Sequence, residues 1–214
     1  MNSPDMTDLY AQGRTFAARQ RMLAQPSNLK QFKEQTLLMA ASVFALARYT
    51  EEQVRAQHPQ KQGPKPEDVP PGIQRLEANT RLLRSTAIEI QSSLRSLVNL
   101  PFVRSVTARE TPRIVGVAQA LFTASTYRWS LSGLSTFLKG FQAEEPLSLR
   151  ELWTFPVALK MALLEEILAQ AAGAFSDQPT SDAALNASLL CLHEVSLPVW
   201  TNILEPLVPF ENIL

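Results

Sequence analysis

The sequence predicts an all-α protein, a multi-helix bundle in which a Pro-rich linker follows an N-terminal helical pair. Three observations support this fold class. Helix-favouring Leu, Ala, Gln, Glu and Arg dominate the 214 residues. Apolar residues recur at helical spacing, whereas runs with the period-two alternation of strands are hard to find. Hydrophobic residues make up 45% and charged residues 19%, as is usual in globular proteins.

The chain divides into three predicted parts. Residues 1–57 form an N-terminal helical segment, with helix from about Asp8 to Gln57 and a break near residues 25–28. Residues 58–72 hold five prolines and predict an extended, semi-rigid linker. Residues 73–214 are expected to form a helical bundle truncated at its C-terminus. We expect the N-terminal pair to be mobile relative to this bundle.

An apolar stripe follows the linker at alternating spacings of three and four residues. It consists of Ile73, Leu76, Thr80, Leu83, Ala87, Ile90, Leu94 and Leu97. Such an a/d stripe predicts a helix that buries a seam against another helix. The helix is expected to end at 99–101, where Pro101 follows Leu100.

Two start signals locate the central helices. Thr111 is expected to be the N-cap of a helix with Pro112 as its first residue, and the apolar body at 114–127 is expected to be central. Ser148 and Glu151 form a capping-box pattern, which predicts a helix from there to about residue 172. Pro156 is expected to kink this helix or divide it in two.

Two further helices are predicted near the C-terminus, one from Asp182 to about Val195 and one from Pro198 onward. The last is apolar at helical spacing, and the chain stops within its stripe. Its apolar residues are Trp200, Ile203, Leu204, Leu207, Val208, Phe210, Ile213 and Leu214. Such an end indicates either a docked terminus or a reading frame that continues.

The sequence offers little reactive chemistry, and we predict no catalytic, cofactor-binding or metal-ligating residue and no cofactor. Cys191 lies in an apolar run and is interpreted as a buried side chain. His193 lies two positions away, so the two cannot share a helix face and a zinc site is not expected. A cryptic enzyme that uses His193 as a base remains a third hypothesis, without a Gly-Xaa-Ser-Xaa-Gly turn to support it.

Acidic and aromatic side chains are interpreted structurally. The Glu pairs at 51–52, 144–145 and 165–166 are expected to be solvated surface. Trp129, Trp153 and Trp200 could form platforms on which sugar rings stack. Trp153 and Trp200 lie at apolar helical spacing, so core packing is preferred for both.

The net charge is zero, but it is unevenly distributed. Residues 75–113 hold seven arginines against three glutamates, whereas residues 139–214 hold three basic against ten acidic residues. The two parts could attract each other, although solvated helix faces of unequal sign are the preferred interpretation.

The neutral total charge and the lack of aromatic residues among the arginines argue against nucleic-acid binding. The longest uncharged run, 114–127, is too short to span a membrane.

Three segments carry a resemblance to a known family. They are Thr111–Phe122 (TPRIVGVAQALF), Phe137–Gln142 (FLKGFQ) and Pro146–Pro156 (PLSLRELWTFP). Together they resemble the helical N-terminal region of bacterial cyclic β-1,2-glucan synthases, also labelled glycosyltransferase family 36 or glucoamylase-like proteins. The stretches 187–200 and 205–214 are similar to the segment that follows in that family. The resemblance covers residues 73–214, but the Trp-Leu-Leu-Asp-Asn type of segment that the family carries before the Pro-Arg helix has no counterpart in residues 100–110.

The resemblance implies a non-catalytic scaffold or regulatory region of a glycosyltransferase that makes glucan. It implies a cytoplasmic location at the inner membrane, and contact with the catalytic and membrane parts of the same enzyme through the C-terminal apolar helix. None of the residues that the family uses for chemistry has a counterpart here, so the resemblance implies no activity for this chain alone. Whether the chain is an enzyme stays open. The alternative is a standalone helical adaptor for protein-protein interaction, whose a/d stripe pairs with a partner or, as a homo-oligomer, with itself.

Overall fold

A computed structural model of the chain describes residues 6–24, 26–56, 70–104, 109–126, 130–174, 179–197 and 200–207. Within these ranges nine α-helices and three short strands follow one another, so the predicted all-α bundle is confirmed. The helices are α1 (Met6–Arg19), α2 (Leu29–Ala56), α3 (Pro71–Ala78), α4 (Thr80–Leu97), α5 (Arg113–Ser125), α6 (Leu131–Gln142), α7 (Leu149–Ala174), α8 (Pro179–Ser196) and α9 (Trp200–Leu204). The strands are β1 (Met22–Leu23), β2 (Phe102–Arg104) and β3 (Glu110–Pro112), and a 3₁₀ turn at Glu205–Leu207 follows α9.

The small antiparallel sheet, in the order β1-β2-β3, was not predicted. Its β2–β3 register sets Phe102 opposite Pro112 and Val103 opposite Thr111. This pairing keeps the backbone extended through Pro112, which is the N-cap of α5 at φ −52° and ψ 134°. The prediction that Thr111 caps this helix is therefore wrong, and α5 begins at Arg113. Its apolar body is buried, as expected, and α5 ends where Thr126 takes the left-handed conformation at φ 50°.

The two N-terminal helices pack on the bundle, so the expected mobile pair is wrong. Phe32 and Val43 of α2 and Ala17 of α1 belong to the same buried core as α4, α5 and α7. α1 crosses α6 at Gly13 and Gly140. A Cβ on Gly13 would overlap the carbonyl oxygen of Phe137, and a Cβ on Gly140 would overlap the carbonyl oxygen of Tyr10. Only hydrogen at these positions lets the backbones approach so closely. The boundary at 57/58 remains a prediction, since residues 57–69 lie outside the described ranges. The bundle was predicted to begin at residue 73, but α3 already begins at Pro71.

The a/d stripe faces the interior of this chain. Leu76, Leu83, Ile90 and Leu97 are fully buried, and α4 packs on α2 and α7. The stripe is carried by two helices rather than one, because α3 ends at Ala78 and α4 begins at Thr80, with Asn79 as the cap residue between them. Contact with a partner through this stripe would require the bundle to open.

The central helix α7 continues from residue 149 through Pro156 to residue 174, so Pro156 does not divide it. α8 begins at Pro179, three residues before the predicted start. The last predicted helix is shorter than expected, because α9 ends at Leu204 and Pro206 falls in the 3₁₀ turn. The rest of the predicted C-terminal helix, residues 208–214, lies outside the described residues. Among the helices described, none is both long and apolar enough to cross a membrane.

Candidate functional site

A buried ion pair links the start of α5 to the start of α7. Arg113 Nε donates to Glu151 Oε1 at 2.8 Å, and Arg113 Nη2 donates to Glu151 Oε2 at 2.7 Å. The side chains are 6% and 0% exposed. Arg113 Nη2 also donates to the carbonyl oxygen of Pro146 at 3.0 Å, and the guanidinium lies 6.0 Å from the ring centroid of Phe141. Two-pronged pairing satisfies both charges in a geometry that only arginine offers.

Glu151 has a second role in the capping box that the sequence predicts. The Ser148 amide and hydroxyl donate to Glu151 Oε2 at 2.9 and 2.7 Å, while the Glu151 amide donates to Ser148 Oγ at 3.3 Å. The box is therefore confirmed. One carboxylate both begins α7 and anchors α5 to it, so the local cap fixes the angle at which the two helices meet.

The ion pair also joins the basic and acidic parts of the chain. Arg113 closes the basic region, whereas Glu151 and Glu145, whose carboxylate lies 3.6 Å from Arg113 Nη1, belong to the acidic one. Lys160 and Glu89 pair in the opposite sense, with both carboxylate oxygens 2.8 Å from Lys160 Nζ. The basic and acidic regions therefore attract each other through individual ion pairs rather than through whole helix faces of opposite charge.

A groove of about 560 Å³ lies between α2, α5, α7 and the start of β3. Its floor is largely apolar, and its rim is mostly polar but includes exposed Leu38. The floor holds buried Phe32, Met39 and Met161; the rim holds Gln35, Ser42, Arg109, Gln119 and Glu165. The volume is within the usual range for a small-molecule site. Converging polar groups above an apolar floor suit the binding of an amphipathic ligand or side chain.

Glu165 is one of three titratable residues that line this groove, together with Arg109 and Glu110. Gln119 Nε2 donates to Glu165 Oε2 at 2.8 Å. Burial raises the pKa of Glu165, against the opposing effects of the Gln119 hydrogen bond and the positive charge of Arg109. A positive or hydrogen-bond-donating ligand group would offset the cost of ionising this carboxyl.

Glu110 lies at one end of the groove, and its pKa is shifted in the opposite direction to that of Glu165. Its carboxylate accepts hydrogen bonds from the amide and hydroxyl of Ser27 at 2.7 and 2.6 Å and from the amide of Asn28 at 2.8 Å. These bonds, that of the Ser27 hydroxyl first, lower the pKa of Glu110. Because Leu29 begins α2, the Glu110 carboxylate provides the negative charge that the start of a helix favours.

Cys191 and His193 do not come together. Cys191 is buried, as predicted, whereas His193 is exposed on the other side of α8. His58 lies outside the described residues. Among the residues that the structure covers, no three His, Cys, Asp or Glu side chains are close enough together to hold a metal ion.

The predictions for tryptophan and glutamate have mixed outcomes. Trp153 is 51% exposed, so its expected core position is wrong, whereas Trp200 is half-buried against the core. Trp129 is outside the described ranges. The Glu pairs are largely at the surface, as expected, but Glu165 is the exception because it lines the groove.

The buried pairing of Arg113 and the groove-lining positions of Glu110 and Glu165 were not predicted from the sequence. Arg113 had a signal, since an arginine beside the apolar run that follows it must find a partner if that run is central. Glu165 had none, because Gln119 is 46 positions away in sequence. Glu110 pairs with Arg104 six positions away, but Ser27 and Asn28, which hold its carboxylate, are 82 to 83 positions away.

Comparison of the chain with protein-family models, with curated proteins and with solved structures finds no match. The functional assignment therefore depends on the geometry and on the resemblance of the three segments.

Proposed function

We propose that the chain is a non-catalytic helical scaffold of a cyclic β-1,2-glucan synthase-like glycosyltransferase. One observation supports this more than any other: the three segments that carry the resemblance meet at Arg113. Arg113 belongs to the first segment, Phe141 to the second, and Pro146 and Glu151 to the third. Segments that share one contact centre are expected to be retained together.

The burial of this centre supports a scaffold role rather than a chemical one. The Glu151 side chain is fully buried and that of Arg113 is 6% exposed, so a substrate could not reach either without opening the bundle. A buried pair of this kind fixes the relative position of helices and is costly to break.

In this proposal the C-terminal stretch connects the scaffold to catalytic and membrane parts of the same enzyme on the cytoplasmic side of the inner membrane. The firm attachment of its first turns supports such a connection. Leu204 and Leu207 are buried on the bundle, and Gln142 Nε2 donates to the carbonyl oxygen of Leu207 at 2.9 Å. Residues 204–207 are therefore held on the bundle by apolar contacts and by a hydrogen bond.

Antibodies raised against the purified 214-residue chain would test this proposal in the source cells. We expect them to detect a polypeptide far heavier than 23.8 kDa in the membrane fraction, and to deplete incorporation of glucose from a nucleotide-activated donor into β-1,2-glucan. A single soluble species of 23.8 kDa whose removal leaves glucan synthesis unchanged would overturn it.

A matched pair of genomic variants would separate folding of the scaffold from general expression effects. Arg113→Met removes the contact centre, whereas Arg14→Met removes an exposed pair with Glu144. We expect glucan synthesis to fall for Arg113→Met and to be preserved for Arg14→Met.

The adaptor alternative loses its original surface, because the a/d stripe is buried in the chain's own core. A different exposed surface, on α2, supports association of another kind.

A further inference from the structure

One side of α2 carries an exposed stripe, here called the α2 outer face. It consists of Lys30, Glu34, Leu37, Leu38, Ala41, Ala45, Arg48 and Glu52, all of them exposed. At about 100° per residue, these side chains fall within roughly 60° of the direction of Ala41. Buried residues of α2 such as Phe32, Val43 and Thr50 lie on the opposite side.

The middle of this face is apolar. Residues 35–47 of α2 hold no charged side chain, although four of these thirteen residues are exposed and four more are partly exposed. Leu37 and Leu38 are 46% and 66% exposed. A surface helix ordinarily places charged residues on its solvent side, so an apolar centre on that side is typical of a surface covered by a partner.

The two charged pairs that flank the apolar centre are arranged symmetrically about Ala41, whereas exposed Arg55 near the end of α2 lies on the same side without a counterpart. Lys30 and Glu34 form one i,i+4 pair at 3.7 Å, and Arg48 and Glu52 form another at 2.7 Å. Read outward from Ala41, the N-terminal side presents an acid and then a base, whereas the C-terminal side presents a base and then an acid. Each end is therefore complementary in charge to the other.

We propose that the α2 outer face binds the same face of a second copy of this chain, with the two helices antiparallel and the two-fold axis at Ala41. In this register Glu34 of each copy lies opposite Arg48 of the other, and Lys30 lies opposite Glu52. Leu37 lies opposite Ala45, and Ala41 meets its own copy.

The arrangement closes on itself, as a two-fold interface must. Two clusters of four alternating charges flank an apolar centre, and the small side chains of Ala41 and Ala45 let the helices approach closely. The face extends over about 33 Å at 1.5 Å per residue, enough for a continuous helix-helix contact. A partner of a different sequence would have to reproduce both end clusters, whereas a second copy supplies them by symmetry.

Charge-swap variants of the 214-residue chain test the pairing directly by analytical ultracentrifugation at low salt. We expect the wild-type chain to reach twice its 23.8 kDa mass as concentration rises. Glu34→Lys places two like charges opposite each other and should weaken association at least tenfold. Adding Arg48→Glu to that variant restores the opposite charges between copies and should restore association, although it leaves both i,i+4 pairs within α2 mismatched.

A wild-type chain that stays monomeric, or a double variant no better than Glu34→Lys, would overturn the proposal. The second result is decisive because a loss caused only by damage to α2 itself would become worse in the double variant.

Cross-linking tests the register. A short bis-maleimide should link two copies of an Ala41→Cys variant, since residue 41 meets itself at the axis. Lys33→Cys is the control on the same helix, because its two copies would lie about 24 Å apart along the axis in this register. The natural Cys191 is buried and present in both variants. Equal linking of the two variants would overturn the antiparallel register.

Discussion

The guanidinium of Arg113 and the carboxylate of Glu151 meet through two parallel hydrogen bonds, of 2.8 and 2.7 Å, at the point where α5 and α7 begin. The pair lies inside the core rather than at its edge, and it joins residues 38 positions apart in sequence. Two helices whose apolar faces could pack in several registers are thereby restricted to the one that satisfies both charges.

Removal of one partner of this pair should be strongly destabilising. We expect Arg113→Met to lower the free energy of unfolding by about 3–5 kcal/mol, because it leaves a buried carboxylate without its counter-charge. Urea denaturation followed by circular dichroism measures the change. Arg14→Met, which breaks an exposed pair with Glu144, should cost less than about 1 kcal/mol. Similar losses for the two variants would mean that the Arg113 pair contributes no more than a surface contact.

Methyl groups at the crossing of α1 and α6 should separate the two helices. We expect Gly13→Ala and Gly140→Ala each to lower the free energy of unfolding by about 1–3 kcal/mol, because the added carbon meets backbone that cannot move aside. Gly116→Ala in α5 is the matched control, since its nearest neighbours would lie 3.8 Å away. Gly116→Ala should raise the free energy of unfolding by about 0.5–1 kcal/mol, because alanine has a higher helix propensity than glycine. Thermal melts of the three variants decide the matter, and a neutral Gly13→Ala would contradict the close crossing.

Glu110 should make the stability depend on pH in the acid range. Its pKa is lower in the folded chain than the ordinary value of 4.5, so its contribution is present above that value and is lost as pH falls through the lower folded pKa. We expect Glu110→Gln to destabilise the chain at pH 7 and to have a much smaller effect near pH 2. Glu77→Gln, at an exposed position of α3, serves as the control. A loss that is the same at both pH values would argue against the carboxylate as its source.

Glu165 should show the opposite pH dependence. Burial raises its pKa above 4.5 in the folded chain, so its contribution is most favourable below 4.5 and declines as pH rises through the raised folded pKa. We expect Glu165→Gln to be more stable than wild type at pH 7 and equal to it below pH 4, since Gln119 can donate to an amide oxygen as well. Glu166→Gln is the neighbouring control. Denaturation at the two pH values measures the difference, and a Glu165→Gln variant that is less stable at pH 7 would contradict the assigned cost.

Much of the secondary structure could be predicted because its signals are local. The capping box at Ser148 and Glu151, the break near residues 25–28 and the burial of 114–125 follow from side chains within a few positions of one another. Tertiary contacts changed one local inference: the helix expected from Thr111 starts later because β2 pairs with residues 110–112. Of the two outcomes expected at Pro156, a kink or a division, the division does not occur.

The candidate site was much less accessible to prediction. Glu165 and Gln119 lie on different helices, and Glu110 reaches residues that precede α2 by a contact over 83 positions. Trp153 is exposed although Leu152 and Phe155 on either side of it are buried. Periodicity shows which residues share a face, but it cannot show where the covering helix ends.

Propensity, capping and periodicity act over a few residues, so the helical class, the positions of most helices and the apolar stripe that had to be buried could be inferred from the order of the residues. What the stripe packs against, the inclusion of α1 and α2 in the core and the exposed side of α2 became evident from the folded chain alone. These outcomes depend on contacts between distant residues, such as Gly13 with Phe137 and Arg113 with Glu151. Burial and charge pairing select among packings that the local pattern leaves equally acceptable.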